Sequence, residues 1–288
     1  MSAYLAVFIC CLLWAVSTQF YANLVNRITL VRFNLYKSLI ALVCFFVAAV
    51  SIGGLHAPIE TLPWIFLSGL LGVGVADLLI FHSFAKMGPA RTLMLWAFEP
   101  SLIAVYSYFI LHKVLPLNKV VGLLFLIFCL IFMALEKKKA GELTIRIVII
   151  AFIGINIEAL SFVFSKKAFM IAPEMSSMTV NLYRAMPAVV FLVVLNYFKG
   201  LKFGIADLSA KIRLGVLSSV FMGNFLAIYL YLYAISRISH PSIVAGLASL
   251  TPFYASIYEH WRDKKLPNKY FIFAFLSMVI GVFFLLSE

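Results

Sequence analysis

Charge is scarce in this sequence, and acid is scarcer than base: 11 Asp and Glu stand against 23 Lys and Arg among 288 residues. Only 12% of the residues are charged and 64% are apolar, where water-soluble domains stay near roughly a quarter charged and a half apolar. That balance excludes a soluble globular enzyme. Cysteine is also rare, and Cys10, Cys11, Cys44 and Cys129 all fall in apolar stretches with no metal-ligand spacing, which excludes a disulfide framework or zinc site. No Lys or Arg precedes the first apolar run, so it lacks the basic start of a cleavable signal and is read as retained. Walker, GxSxG, paired-aspartate and HExxH motifs are absent, leaving ATP-driven pumping and metal catalysis without machinery. No enzymatic activity, metal or cofactor is expected. The formal net charge of +12 is spread over short connections instead of one face, so it speaks for membrane topology and against nucleic acid as a partner.

What is present is apolar sequence in long runs, too continuous for the alternating strands of an outer-membrane barrel. The chain is therefore expected to be an all-α integral membrane protein. Ten spans can be drawn, at about 3–22, 29–51, 63–84, 91–111, 117–135, 146–165, 176–198, 213–235, 240–260 and 268–286. Since about twenty residues cross a bilayer, these leave no room for a soluble domain. Of the Lys and Arg outside the spans, 15 lie in the connections after spans one, three, five, seven and nine, and 5 on the other side. The basic side belongs to the cytoplasm, which predicts a multi-pass protein of the inner (plasma) membrane with both termini outside the cytoplasm.

The chain also repeats itself. Asn34-Leu35-Tyr36-Lys37 in span two matches Asn181-Leu182-Tyr183-Arg184 in span seven. Glu99-Pro100 matches Thr251-Pro252, with Tyr106 and Tyr258 six residues beyond each proline, and Leu115-Pro116-Leu117-Asn118-Lys119 matches Leu266-Pro267-Asn268-Lys269. Trp14-Ala15-Val16-Ser17 against Glu158-Ala159-Leu160-Ser161 extends the series to the first span. Matches in one order predict two five-span units, residues 1–139 and 140–288. Because five is odd, the second unit inserts upside down, and an inverted repeat places a solute site near the midplane between the halves.

These features, with Leu12-Leu13-Trp14-Ala15 in the first span, Ala85-Lys86-Met87-Gly88-Pro89-Ala90 before span four and proline late in spans four and nine, resemble the drug/metabolite transporter superfamily in its EamA-domain branch. The resemblance covers nearly the whole chain. It implies ten helices around a central cavity and the movement of small metabolites, often the export of amino acids, with relatives that carry nucleotide sugars or phosphorylated sugars.

A charge near the bilayer centre costs on the order of 3 kcal/mol, so those that persist are expected to face protein or water. They are Arg32, Lys37, Asp77, His82, Glu99, Glu158 and Arg184, beside Asn34, Asn181 and Asn224. In spans two and seven the amide precedes the cation by three residues, which puts Asn34 with Lys37 and Asn181 with Arg184 on one helical face, able to grip a carboxylate or phosphate. The alternative is that these cations only pair with Glu158, Asp77 or Glu99. Glu158 stands where the first repeat has Trp14, so an acid and an aromatic plane would face the solute; Glu158 is also a proton-coupling candidate, as is Asp77. Pro100 and Pro252 are hinge candidates through the kinks they impose. Gly72 and Gly74, or Gly215 and Gly223, are expected to allow close helix contact.

The reading that follows is a secondary transporter working by alternating access on an amino acid or similar small polar metabolite, most simply by export. A second is an exchanger of anionic or phosphorylated solutes; a third, of another class, is a non-transporting scaffold or lipid-acting enzyme. The partners are a small-molecule solute and membrane lipid, and a monomer suffices because the two repeats enclose the site.

Overall fold

The computed structural model describes the chain except residues 26, 53, 88–91, 94, 137–144, 204–207, 256, 258–268 and 288. Among the described residues the regular structure is all helix, as expected. The elements are α1 (Ala3–Leu24), α2 (Leu30–Ser51), α3 (Ile59–Lys86), α4 (Glu99–Leu111), α5 (Leu117–Glu136), α6 (Ile145–Ile171), α7 (Ser177–Phe198), α8 (Ala210–Arg237), α9 (Pro241–Ala248) and α10 (Lys269–Leu286). Seven helices (α2, α3, α6, α7, α8, α10 and, over Ala3–Tyr21, α1) are long and apolar enough to cross a bilayer, whereas α4, the apolar part of α5 (Leu117–Cys129) and α9 are shorter. Outward faces stay apolar, as with the exposed Val43, Phe46 and Val47 on α2 and Phe109 on α4, which suits contact with lipid. The basic run Lys137 to Lys139, the Gly88-Pro89 turn, Tyr258 and the Leu266-Pro267-Asn268 match lie outside the described residues.

Two departures from plain helix occur at corresponding places in the halves. First, α3 and α8 each pass through a π-wound stretch, Gly69–Ala76 and Phe221–Ala227. Hydropathy carries no sign of it, because a π turn changes winding without changing composition. Second, the expected spans four and nine are interrupted. A 3₁₀ turn, Trp96–Phe98, precedes α4, and the turn at 249–250 separates α9 from a short helical stretch at 251–255. Pro100 therefore stands at the start of α4, and Pro252 at the start of the stretch after the turn. The expected kinks inside continuous helices are replaced by breaks just upstream of each proline, because the first turn of a helix needs no N–H from it.

The halves interleave instead of standing side by side. α1 packs along α8, α6 along α3, and α2 along α7. The contacts repeat across the pseudo-symmetry. A Cβ on Gly72 would meet Ser161 Oγ at 2.3 Å, and one on Gly223 would meet Ser17 Oγ at 2.5 Å. One turn along, Ser68 on α3 bonds Ser161 O at 2.6 Å and Ser165 Oγ at 2.7 Å. In the matching place Tyr21 on α1 donates to Ser219 O at 3.0 Å. Ser17 and Ser161 are the pair the repeat had already aligned, so a sequence match has become a packing match. The glycine expectation holds for Gly72, Gly74 and Gly223; Gly215 has only an ordinary contact at 3.7 Å. Gly69 makes the closest approach, since a Cβ there would lie 1.9 Å from the Arg184 carbonyl oxygen.

Candidate solute-binding cavity

The π stretches and the two breaks surround a cavity of about 110 Å³, well above the roughly 10–15 Å³ that one water needs. Trp14, Lys37, Asp77, Glu158, Asn181 and Arg184 line it, and so does Pro252. Six of the residues singled out from sequence as solute or proton groups thus meet in one place. Asn34 does not line it: its amide donates to Val73 O of the π stretch at 3.2 Å. Pro100 is buried and does not line the cavity, although its neighbour Glu99 does.

The two cations are placed differently. Lys37 is fully buried and forms an ion pair with Asp77, so its charge is answered within the protein, with the Phe81 ring 4.8 Å from the ammonium. Arg184 is 2% exposed and, among the described residues, has no carboxylate within ion-pair distance. Its guanidinium donates to Asn181 Oδ1 at 3.3 Å and lies 5.3 Å from the centre of the Phe162 ring. Its Nε finds no hydrogen-bond partner. Ser161 Oγ is likewise buried and unpartnered, and both groups flank Gly72, with Arg184 Nη2 3.3 Å from where a Cβ would be. Unsatisfied buried donors are costly unless a ligand or water completes them.

The acids contrast in the same way. Glu158 Oε2 accepts a hydrogen bond of 2.7 Å from Trp96 Nε1, in the 3₁₀ turn before α4. Glu99 is 7% exposed and its Oε1 has no partner. Trp14 donates its own indole N–H to Gly223 O at 3.1 Å and packs on Tyr231 at 5.1 Å between centroids, so it offers the cavity an aromatic face and no free donor. Phe162 packs on the same Tyr231 at 4.6 Å. Trp96, Ser161 and Glu99 escaped the sequence reading as site residues. Only Glu99 was an intramembrane charge, and the Trp96–Glu158 contact joins groups 62 residues apart that no local pattern links.

Helices interrupted at the level of a buried, charged cavity and packed as interleaved repeats are the architecture of a membrane transporter. Comparison with known proteins agrees. The model of the EamA-like transporter family matches residues 1–135 and 145–287, and the chain belongs to that family, within the drug/metabolite transporter superfamily. Among 29 matching chains of solved structures, one crystal structure, described only as that of a protein, aligns with a TM-score of 0.76 at 14% identity, covering 98% of this chain and 96% of its own. At that identity the likeness shows the fold alone. No curated protein matches by sequence.

Proposed function

We propose that this transporter moves a small zwitterionic metabolite of the amino-acid class out of the cell by alternating access, without ATP. One observation carries the reading: the cavity holds one cation answered by a protein acid, Lys37 with Asp77, and one that is not, Arg184. The solute's carboxylate takes Arg184 and the Ser161 hydroxyl at Gly72, and its ammonium takes Glu158, whose other contact is the Trp96 indole. Trp14 and Phe162 supply flat apolar walls for the solute's body. Lys37, Asp77 and Asn34 form the support of this grip, and Asn181 fixes the Arg184 side chain. An exchanger of phosphorylated solutes would use both cations, and Lys37 is not free for that. Rocking about the breaks at Pro100 and Pro252 would move the two bundles past each other. The basic connections support insertion in the plasma membrane with both termini outside.

The test is thermal shift and uptake in reconstituted vesicles with labelled amino acids, with phosphate as competitor. Arg184→Gln should weaken binding about 10- to 150-fold, the loss of one charge-assisted hydrogen-bonding group, and Glu158→Gln comparably, with folded yield nearly kept. Strong competition by phosphate, or an Arg184→Gln protein that binds as the parent does, would overturn the reading.

A further inference from the structure

Glu99 is the acid that this grip leaves unused. It begins α4 directly after the 3₁₀ turn, lines the cavity, and is nearly buried with Oε1 unpartnered. Among the described residues the titratable groups that face it are Glu158 from α6 and Tyr231 from α8, with Cys10 and Cys11 of α1 beyond Tyr231. None of these is a cation. α9 packs against α4, and Ser249 and Thr251 just beyond α9 line the cavity, but their hydroxyls already donate to Ala245 O at 3.0 Å and Ala248 O at 2.8 Å. They have only lone pairs left to present, so they cannot donate to Glu99. The Tyr231 hydroxyl is fully buried and also unpartnered.

The neighbouring Glu158 differs in its contacts: it holds the Trp96 N–H, and Asp77, Lys37 and Arg184 are the charged groups around it. Two carboxylates in unlike surroundings serve unlike roles. We propose that Glu99 is the coupling-proton site of this transporter, a role that rests on the solute reading for what it is coupled to. With the solute's ammonium at Glu158, one positive charge serves the two facing acids. When the solute leaves, that charge is lost and Glu99 takes a proton from the water of the open cavity, forming one O–H bond. When the next solute arrives, that bond breaks and the proton returns to water. Loading on one side of the membrane and release on the other makes the cycle an exchange of solute against proton.

The first measurement needs no solute. Infrared pH titration of the purified protein in lipid should show a protonated-carboxyl band that Glu99→Gln removes, Glu158→Gln retains, and Glu99→Asp retains at a shifted frequency, each variant being checked for an unchanged melting temperature. The Asp variant keeps the test decisive if the Gln variant folds poorly. A band that survives Glu99→Gln overturns the proposal, and so does binding of radioactive sodium that Glu99→Gln abolishes, which would make the site a metal-cation site. The second measurement uses vesicles holding a pH dye and a mixture of labelled zwitterionic amino acids. Glu99→Gln should keep amino-acid exchange while the dye response falls to that of empty vesicles; loss of both together tells against a separate proton site. If the parent protein carries no amino acid at all, the solute reading fails and the infrared result still decides the site of the proton.

Discussion

The two halves present the same seat twice and furnish it differently. In the seat around Gly72, the first-half glycine meets Ser161, and the groups beside it, Ser161 Oγ and Arg184 Nε, are unpartnered. In the seat around Gly223, the glycine meets Ser17 and Tyr21, and that corner is closed by protein: Tyr21 reaches Ser219 O and Asn224, and Trp14 bonds Gly223 O. A pseudo-symmetric scaffold has thus kept its packing rule, glycine against serine across the repeats, while its chemistry has diverged. One seat leaves buried polar groups unanswered; in the other the polar groups answer one another. The same division separates the cations, since Lys37 has an acid of its own and Arg184, among the described residues, has none.

The largest effect that would break this comparison comes from the paired cation. Lys37→Met strands Asp77 in the protein and should cost about 3–5 kcal/mol, whereas Arg184→Gln strands no carboxylate among the described residues, only the neutral Asn181 amide oxygen, and should lower melting temperature little. Adding Asp77→Asn to Lys37→Met should recover much of the loss in denaturant melts. Equal destabilisation by the two cation variants would remove the distinction between a supporting and a receiving charge.

Next come the seats themselves. Gly72→Ala and Gly223→Ala each overpack a filled contact and should destabilise by about 1–3 kcal/mol. Ser161→Gly should rescue the first and not the second. Ser17→Gly should rescue the second only in part, because the Tyr21 hydroxyl would still lie 2.3 Å from the new methyl. Melting temperatures of the four single and four double variants decide whether the seats are wired as described.

The indoles give a smaller contrast. Trp96→Phe removes a bond to an acid and should cost about 1.5–3 kcal/mol while weakening solute binding through a mispositioned Glu158. Trp14→Phe removes a bond to a backbone carbonyl, for which about 0.6 kcal/mol is typical within a membrane protein. Smallest is Tyr106→Phe, which loses only the 2.9 Å contact to Asn156 near the partly exposed surface of α6 and should lower stability by less than about 0.6 kcal/mol without touching uptake.

Much of this was legible from the chain. Intramembrane charge marked the cavity, because a membrane leaves such residues few other places to go, and the Asn-Leu-Tyr-Lys and Asn-Leu-Tyr-Arg match marked α2 and α7 as equivalent helices of two repeats, though not as direct packing partners. What could not be read was which cation Asp77 would choose: Lys37 and Arg184 look alike in sequence, and only the packing of α2 against the part of α3 that begins at Asp77, while α7 lies along the π stretch before it, separates them. The breaks were half visible. Pro100 and Pro252 announced irregular backbone, but proline reads as a kink or a helix start according to whether the preceding turn finds partners elsewhere, and that depends on residues far away. The π stretches were invisible for the reason already given, although Gly72 and Gly223 marked their positions.

The reciprocal Gly–Ser contacts also bear on how the protein is made. Since α3 closes against α6 and α7, and α1 against α8, neither half owns the surface that finishes its packing. The helices of the first half enter the bilayer while their partners are still being synthesised, and until then Gly69 and Gly72 have only lipid or each other to lie against. A chain that stopped after α5 would thus lack the helices on which α1, α2 and α3 do most of their packing.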